Sequence, residues 1–219
     1  MNRFAVLRSS CVLAALVVLV VVLGACKRSS GPVGGAVDPS PSASAAVSPA
    51  ARMARGTFEV DSGDGESQVR LVPVADGYRV TTQRGRVGGR IKVERGRVKF
   101  QDASGATSAK VKAKDFGYKV YDATDAEVLK AKRRGDGYLW KTGQDADLGR
   151  WERGEGMVSG QEVRVEVRAG RTEVLRGGKP VGSVSISLPP RAAVLLALTE
   201  LPFEQRLAGL VYELEVTAP

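Results

Sequence analysis

Ala109-Lys110-Val111-Lys112-Ala113-Lys114 alternates a small or apolar side chain with a lysine, and after a short interruption Tyr118-Lys119-Val120-Tyr121 resumes the alternation. Successive side chains of a strand point to opposite faces, so this pattern gives one apolar and one cationic face, as in antiparallel strands with one side in water. The same reading holds upstream for Val69–Val74, Arg90–Glu94 and Arg97–Phe100. Downstream it holds for Val128–Lys132, Val163–Arg168 and Val181–Leu188. Gly and Asp turn signals separate the runs, and about eleven or twelve strand candidates precede residue 189. Asp76-Gly77-Tyr78, Arg95-Gly96-Arg97, Phe116-Gly117-Tyr118 and Asp136-Gly137-Tyr138 place their glycines 19, 21 and 20 residues apart. Such a period suits one hairpin per repeat. A meander of equal hairpins without a repeat looks the same, and either reading gives an all-β body.

The character changes after Pro189-Pro190, where Ala, Leu and Glu dominate and prolines fall at a first turn, predicting a helix over about 190–212. Apolar residues cover most of its circumference, which marks a buried helix. Pro202 either kinks it or, with Thr199 as N-cap, opens a second helix. A final strand is expected over Tyr212–Thr217.

Many short strands and one apolar helix fit a closed barrel threaded by that helix, because closure removes sheet edges and the helix fills the lumen. On Gly117-Tyr118-Lys119-Val120-Tyr121-Asp122 and the helix from Ala192 to Tyr212, the stretch from Gly56 to Pro219 resembles the tubby C-terminal-like group of tubby, phospholipid scramblase and plant LURP-one-related proteins. That resemblance implies a roughly twelve-stranded antiparallel barrel around a central C-terminal helix. A β-sandwich with a helix packed across one face is the alternative. Tubby proteins bind phosphoinositides through a basic patch, but none of their ligand residues maps onto a position of this sequence. The calcium segment and cysteine-rich palmitoylation site of the scramblases have no counterpart here.

The chain of 219 residues is long enough for one domain of about 150 residues after a leader. Arg3 and Arg8 precede an apolar run from Val12 to Leu23, too short to span a bilayer and suited to a signal peptide over residues 1–25. Leu23-Gly24-Ala25-Cys26 resembles the lipobox of bacterial lipoproteins. The resemblance implies a diacylglycerol thioether on Cys26 with an amide-linked acyl chain such as palmitate, hence a lipid-anchored protein of the cell envelope. By the sorting pattern of the lipoproteins it resembles, Lys27 in place of Asp implies the outer membrane in preference to the inner. Cys11 lies in the leader, so the mature chain has no second cysteine for a disulfide. Residues 26–55, rich in Gly, Ser, Pro and Ala, form a linker with a reach of roughly 30 Å. The barrel domain then occupies 56–219.

With no histidine in the chain, Ser-His-Asp and Cys-His nucleophile systems, an ordinary zinc site and an imidazole switch are excluded. No catalytic, metal or cofactor residue is assigned. Asp61-Ser62-Gly63-Asp64-Gly65-Glu66 lacks the spacing of a calcium loop and reads as a polar hairpin turn. Asp145 with Asp147, like Asp122 with Asp125, could pair for hydrolytic acid/base work, although turns need the same residues. Trp140 and Trp151 read as core or barrel-rim residues. The informative signal is charge: residues 84–114 hold ten basic and two acidic residues, within a chain of net charge +9. Alternation puts Arg90, Lys92, Arg97, Lys99, Lys110, Lys112 and Lys114 on the face opposite Ile91, Val93, Val98, Phe100 and Val111. If the three strands are neighbours, they form one basic surface for anionic lipid or another polyanion. Otherwise the charge is incidental to an envelope-assembly scaffold that binds protein. Export and the lack of an aromatic-plus-basic motif argue against nucleic acid.

Overall fold

In the computed structural model, which describes residues 56–217 apart from Glu66 and Arg153, the alternating runs become fourteen strands. They are β1 (Phe58–Asp61), β2 (Gln68–Val74), β3 (Gly77–Thr82), β4 (Val87–Glu94), β5 (Arg97–Asp102), β6 (Thr107–Lys114) and β7 (Gly117–Asp122). There follow β8 (Glu127–Arg134), β9 (Gly137–Thr142), β10 (Asp147–Glu152), β11 (Glu155–Val158), β12 (Gln161–Arg168), β13 (Arg171–Arg176) and β14 (Lys179–Val184). Each pairs antiparallel with the next, and β14 pairs with β1 at Val60↔Val184 and Asp61↔Ser183. The sheet is therefore a closed barrel with no free edge. The barrel exceeds the expected dozen strands, and β1 and β11 are the shortest of the fourteen at four residues each. The last strand stops at Val184 instead of continuing to Leu188.

A frame of twenty residues runs through the first ten strands. Phe58, Tyr78, Val98, Tyr118 and Tyr138 recur at this interval and are all buried, as are Val60, Val80, Phe100, Val120 and Trp140 two places later. The pairing register slips by one residue at Gly88, Ser108, Val128 and Leu148, again twenty apart. Bulges of this kind bend a strand and raise its twist, and repeating one in each hairpin curves the sheet toward closure. The unequal glycine spacing has a simple origin. Gly77, Gly117 and Gly137 begin β3, β7 and β9, whereas Gly96 sits one place earlier in its turn and Arg97 begins β5. A Cβ at Gly77, Gly117 or Gly137 would lie 1.9, 2.2 or 1.8 Å from the carbonyl oxygen of Ile91, Ala131 or Trp151 on the adjoining strand.

The C-terminal segment fills the lumen, but as a helical hairpin and not as one helix over 190–212. α1 (Pro190–Ala193) runs into a 3-10 helical turn (Val194–Ala197), the chain reverses over 198–202, and α2 (Phe203–Glu215) returns. Pro202 is the residue before α2 and Thr199 does not cap it; Thr199 instead accepts a hydrogen bond from Arg176 at 2.8 Å. The expected strand over Tyr212–Thr217 is absent, since α2 continues to Glu215. The 3-10 turn packs on β12–β14 and α2 on β4–β7. The two legs meet where Gly209 faces Leu195, a Cβ there lying 3.2 Å from Leu195 Cδ1. Ala192 to Leu198 and, on α2, Leu207, Leu210, Val211 and Leu214 are wholly buried. Among the described residues no helix is long and apolar enough to cross a membrane.

The barrel has two distinguishable ends. β1 starts at the proximal end, where the turns at residues 75–76, 95–96, 115–116 and 135–136 also lie, and Thr217 returns there after α2. The distal end carries the turns at 62–67, 83–86, 103–106, 123–126 and 143–146. Every strand has two partners, and the core extends from Phe58 to Leu214. The closed sheet and its filling thus lie within the described residues.

Candidate anion-binding wall

Strands β4, β5 and β6 are neighbours, so the seven basic residues named from the sequence do share one outer surface. Lys92 pairs across with Lys99 and Lys99 with Lys110, while Arg97 pairs with Lys112. The pairing then carries the row further than the sequence suggested, through Lys112↔Lys119, Lys119↔Lys130 and Lys130↔Lys141. Neighbouring strands lie ~4.8 Å apart, and like charges directly opposite one another are destabilising. Carboxylates relieve part of that repulsion. Glu94 accepts from Lys99 at 2.8 Å and meets Arg97 at 3.7 Å. Asp145 holds Lys130 and Asp147 holds Lys141, each at 2.8 Å. Asp125 takes Lys110, Asp76 takes Arg90, and Glu127 bridges Lys119 and Lys130. Lys112 lies 4.7 Å from the ring centroid of Tyr121. Among the described residues Lys92, Lys114, Lys132 and Arg134 have no carboxylate partner, and all four lie in the proximal half of the wall.

These contacts set the titration of the acids. The Lys99 hydrogen bond holds Glu94 below its ordinary range, and the Lys110 and Lys130 hydrogen bonds do the same for Asp125 and Asp145. Burial pushes Glu127 up, and the hydrogen bonds from Lys119 and Lys130 outweigh it. Asp122 is held low by the Thr124 hydroxyl and the amide of Ala126, and Asp102 by Ser104 in the equivalent turn. The members of the two Asp pairs therefore bind separate turn or lysine partners. Asp61 and Asp64 order the β1–β2 turn, accepting from the amides of Gly63 and Ser67 at 2.7 and 3.1 Å. Among the described residues no three His, Cys, Asp or Glu side chains gather as a metal site. Trp140 and Trp151 are buried in the core.

Two buried acids at the C-terminal end of α2 escaped the sequence reading. Glu215 accepts from the hydroxyl of Tyr78, and Glu213, 1% exposed, accepts from Thr217 Oγ1 at 2.8 Å with Arg191 Nε at 3.7 Å. Burial raises Glu213 above its ordinary value against the pull of Thr217 and Arg191, and its charge, after burial, helps push Tyr138 and Tyr212 up to about 12. A carboxyl raised in the folded state keeps its proton where the unfolded chain has lost it. Its contribution is most favourable below the unfolded value of 4.5 and declines as pH climbs through the folded value. Glu213→Gln abolishes that decline, so its melting temperature should gain on the parent's as pH rises from about 4 to about 7, read by thermal melts across that range. A constant gap would contradict the assignment.

No family model matches the chain, and no curated protein matches it. Among solved structures, a protein from Arabidopsis thaliana is similar at 12% identity over 70% of this chain and 96% of that one, with a TM-score of 0.22. That superposition is too loose to bear on function.

Proposed function

We propose that this chain is a non-enzymatic envelope lipoprotein, tethered through lipid on Cys26, whose barrel binds anionic lipid or another polyanion through the wall of β4–β9. Cys26 and the linker lie outside the described residues, and the tether rests on the lipobox resemblance. The observation that supports the wall is its continuity: lysines stand opposite one another from β5 to β9, with Lys92, Lys114, Lys132 and Arg134 unpaired. A protein selected only for solubility gains nothing from setting like charges side by side. The tubby-like reading of the fold belongs to the same proposal. The scaffold reading draws on the distal half, where Asp125, Asp145 and Asp147 neutralise the lysines.

Sedimentation of residues 56–219 with anionic and neutral vesicles over a salt series separates the two. Binding confined to anionic vesicles and weakening with salt is expected, because exposed charges are screened over ~10 Å at 0.1 M. Lys92→Glu/Lys99→Glu/Lys112→Glu should weaken it by about a hundredfold or more, at ~1 kcal/mol per basic residue removed from the surface. Absence of binding at low salt overturns the proposal in favour of a protein partner.

A further inference from the structure

The unpaired cations and the point at which the chain joins the barrel lie at the same end. Three adjacent hairpins, β4–β5, β6–β7 and β8–β9, carry their tips there and present Arg95, Lys114 and Arg134, all exposed, while the Arg133 side chain engages the Tyr138 hydroxyl. Glu94, Asp115 and Asp136 are the rim acids among them, and Glu94 is already paired with Lys99 and Arg97. At the middle tip stands Phe116, 40% exposed although aromatic, with Lys119 Nζ 6.0 Å from its ring centroid. The tip is braced from the next hairpin, the Arg133 amide donating to the Phe116 carbonyl at 2.7 Å. Gly56 leads into β1 at this end.

We propose that the proximal rim is a bilayer-docking surface. The barrel stands end-on to an anionic membrane, with Phe116 entering the headgroup region and Lys114 and Arg134 taking lipid phosphates. This deepens the function proposed above and rests on it. An aromatic ring flanked by cations suits the boundary between headgroups and acyl chains, and attraction to anionic lipid adds to the buried apolar area. A tether leaving from the same end keeps the rim toward the anchored surface. The distal half, with its lysines already paired to Asp125, Asp145 and Asp147, then faces away.

Both cysteines of the chain, Cys11 and Cys26, precede Gly56, so residues 56–219 accept a single label at a chosen site. An environment-sensitive fluorophore is placed on Phe116→Cys and, separately, on Val87→Cys at the distal end, where Val87 is 58% exposed. Phosphatidylcholine vesicles containing phosphatidylglycerol are then added. A blue shift with quenching by lipid-borne nitroxide at position 116, and neither at 87, is expected. Phe116→Ala should weaken vesicle binding by about five- to tenfold without changing its salt dependence, while Phe116→Trp retains it. Vesicle binding with an unshifted label at 116, or equal shifts at both sites, overturns end-on docking and leaves the basic wall standing. No binding by any of these proteins removes the wall and the rim together.

Discussion

A chain ending at Pro189 should have no cooperative thermal transition and should be cut by protease throughout. The helical hairpin that it lacks contributes Leu195, Leu196, Leu198, Leu207, Leu210 and Leu214, each at most 1% exposed. Full burial of such a side chain contributes about 1.5–3 kcal/mol, so six of them together reach the whole ~5–15 kcal/mol by which a domain is stable. The loss is felt on both sides of the contact. Without α2, the inward faces of β4 to β7, including Ile91, Val98, Val111 and Val120, would line a water-filled cavity. Circular dichroism melts of residues 56–189 beside residues 56–219 decide the matter, and a sharp transition in the shorter chain would show that the sheet is stable without its filling.

The second large effect is confined to one hairpin. Gly137→Ala places a Cβ 1.8 Å from the carbonyl oxygen of Trp151, on the neighbouring strand β10. Neither atom can swing away, as both belong to backbone, so β9 and β10 must part where Tyr138↔Trp151 pairing begins. A loss of about 3 kcal/mol or more is expected, at or beyond the upper end of ordinary overpacking. Gly135, two residues earlier, has φ +56° and open space around its Cβ position. Gly135→Ala carries only the left-handed backbone penalty of roughly 1 kcal/mol. Urea titrations of the two variants should therefore differ clearly, and equal midpoints would contradict the close approach.

Much of this architecture was written in local pattern. The alternation in Arg90–Glu94, Arg97–Phe100 and Ala109–Lys114 is retained in β4, β5 and β6 to within a few residues. The apolar circumference of the last segment placed it inside the barrel. Its final turn was harder to read, because Tyr212-Glu213-Leu214-Glu215-Val216 alternates as a strand does. Alternation signals a strand only when one face meets water, and in the lumen neither face does, so Glu213 and Glu215 are buried with Leu214. Partners supplied from afar, Arg191 and Tyr78, make that burial tolerable. The wall was half legible for a related reason. Counting charge over residues 84–114 finds the lysines of three strands, but the row continues through Lys119, Lys130 and Lys141, and its neutralising acids come from the later turns and from the start of β10.

The seam has a bearing on how the molecule is made. From β2 to β14 each strand pairs with its sequence neighbours, so hairpins can zip as the polypeptide emerges. β1 alone among the early strands requires a distant partner, Val184, and the lumen is plugged only when residues 190–215 are present. Non-local closure of this kind raises the contact order and slows folding. The inward residues of a nascent barrel stay wet and adhesive until residues 190–215 have arrived. The vulnerable interval of this topology is therefore the period before closure, when an open, sticky sheet is exposed.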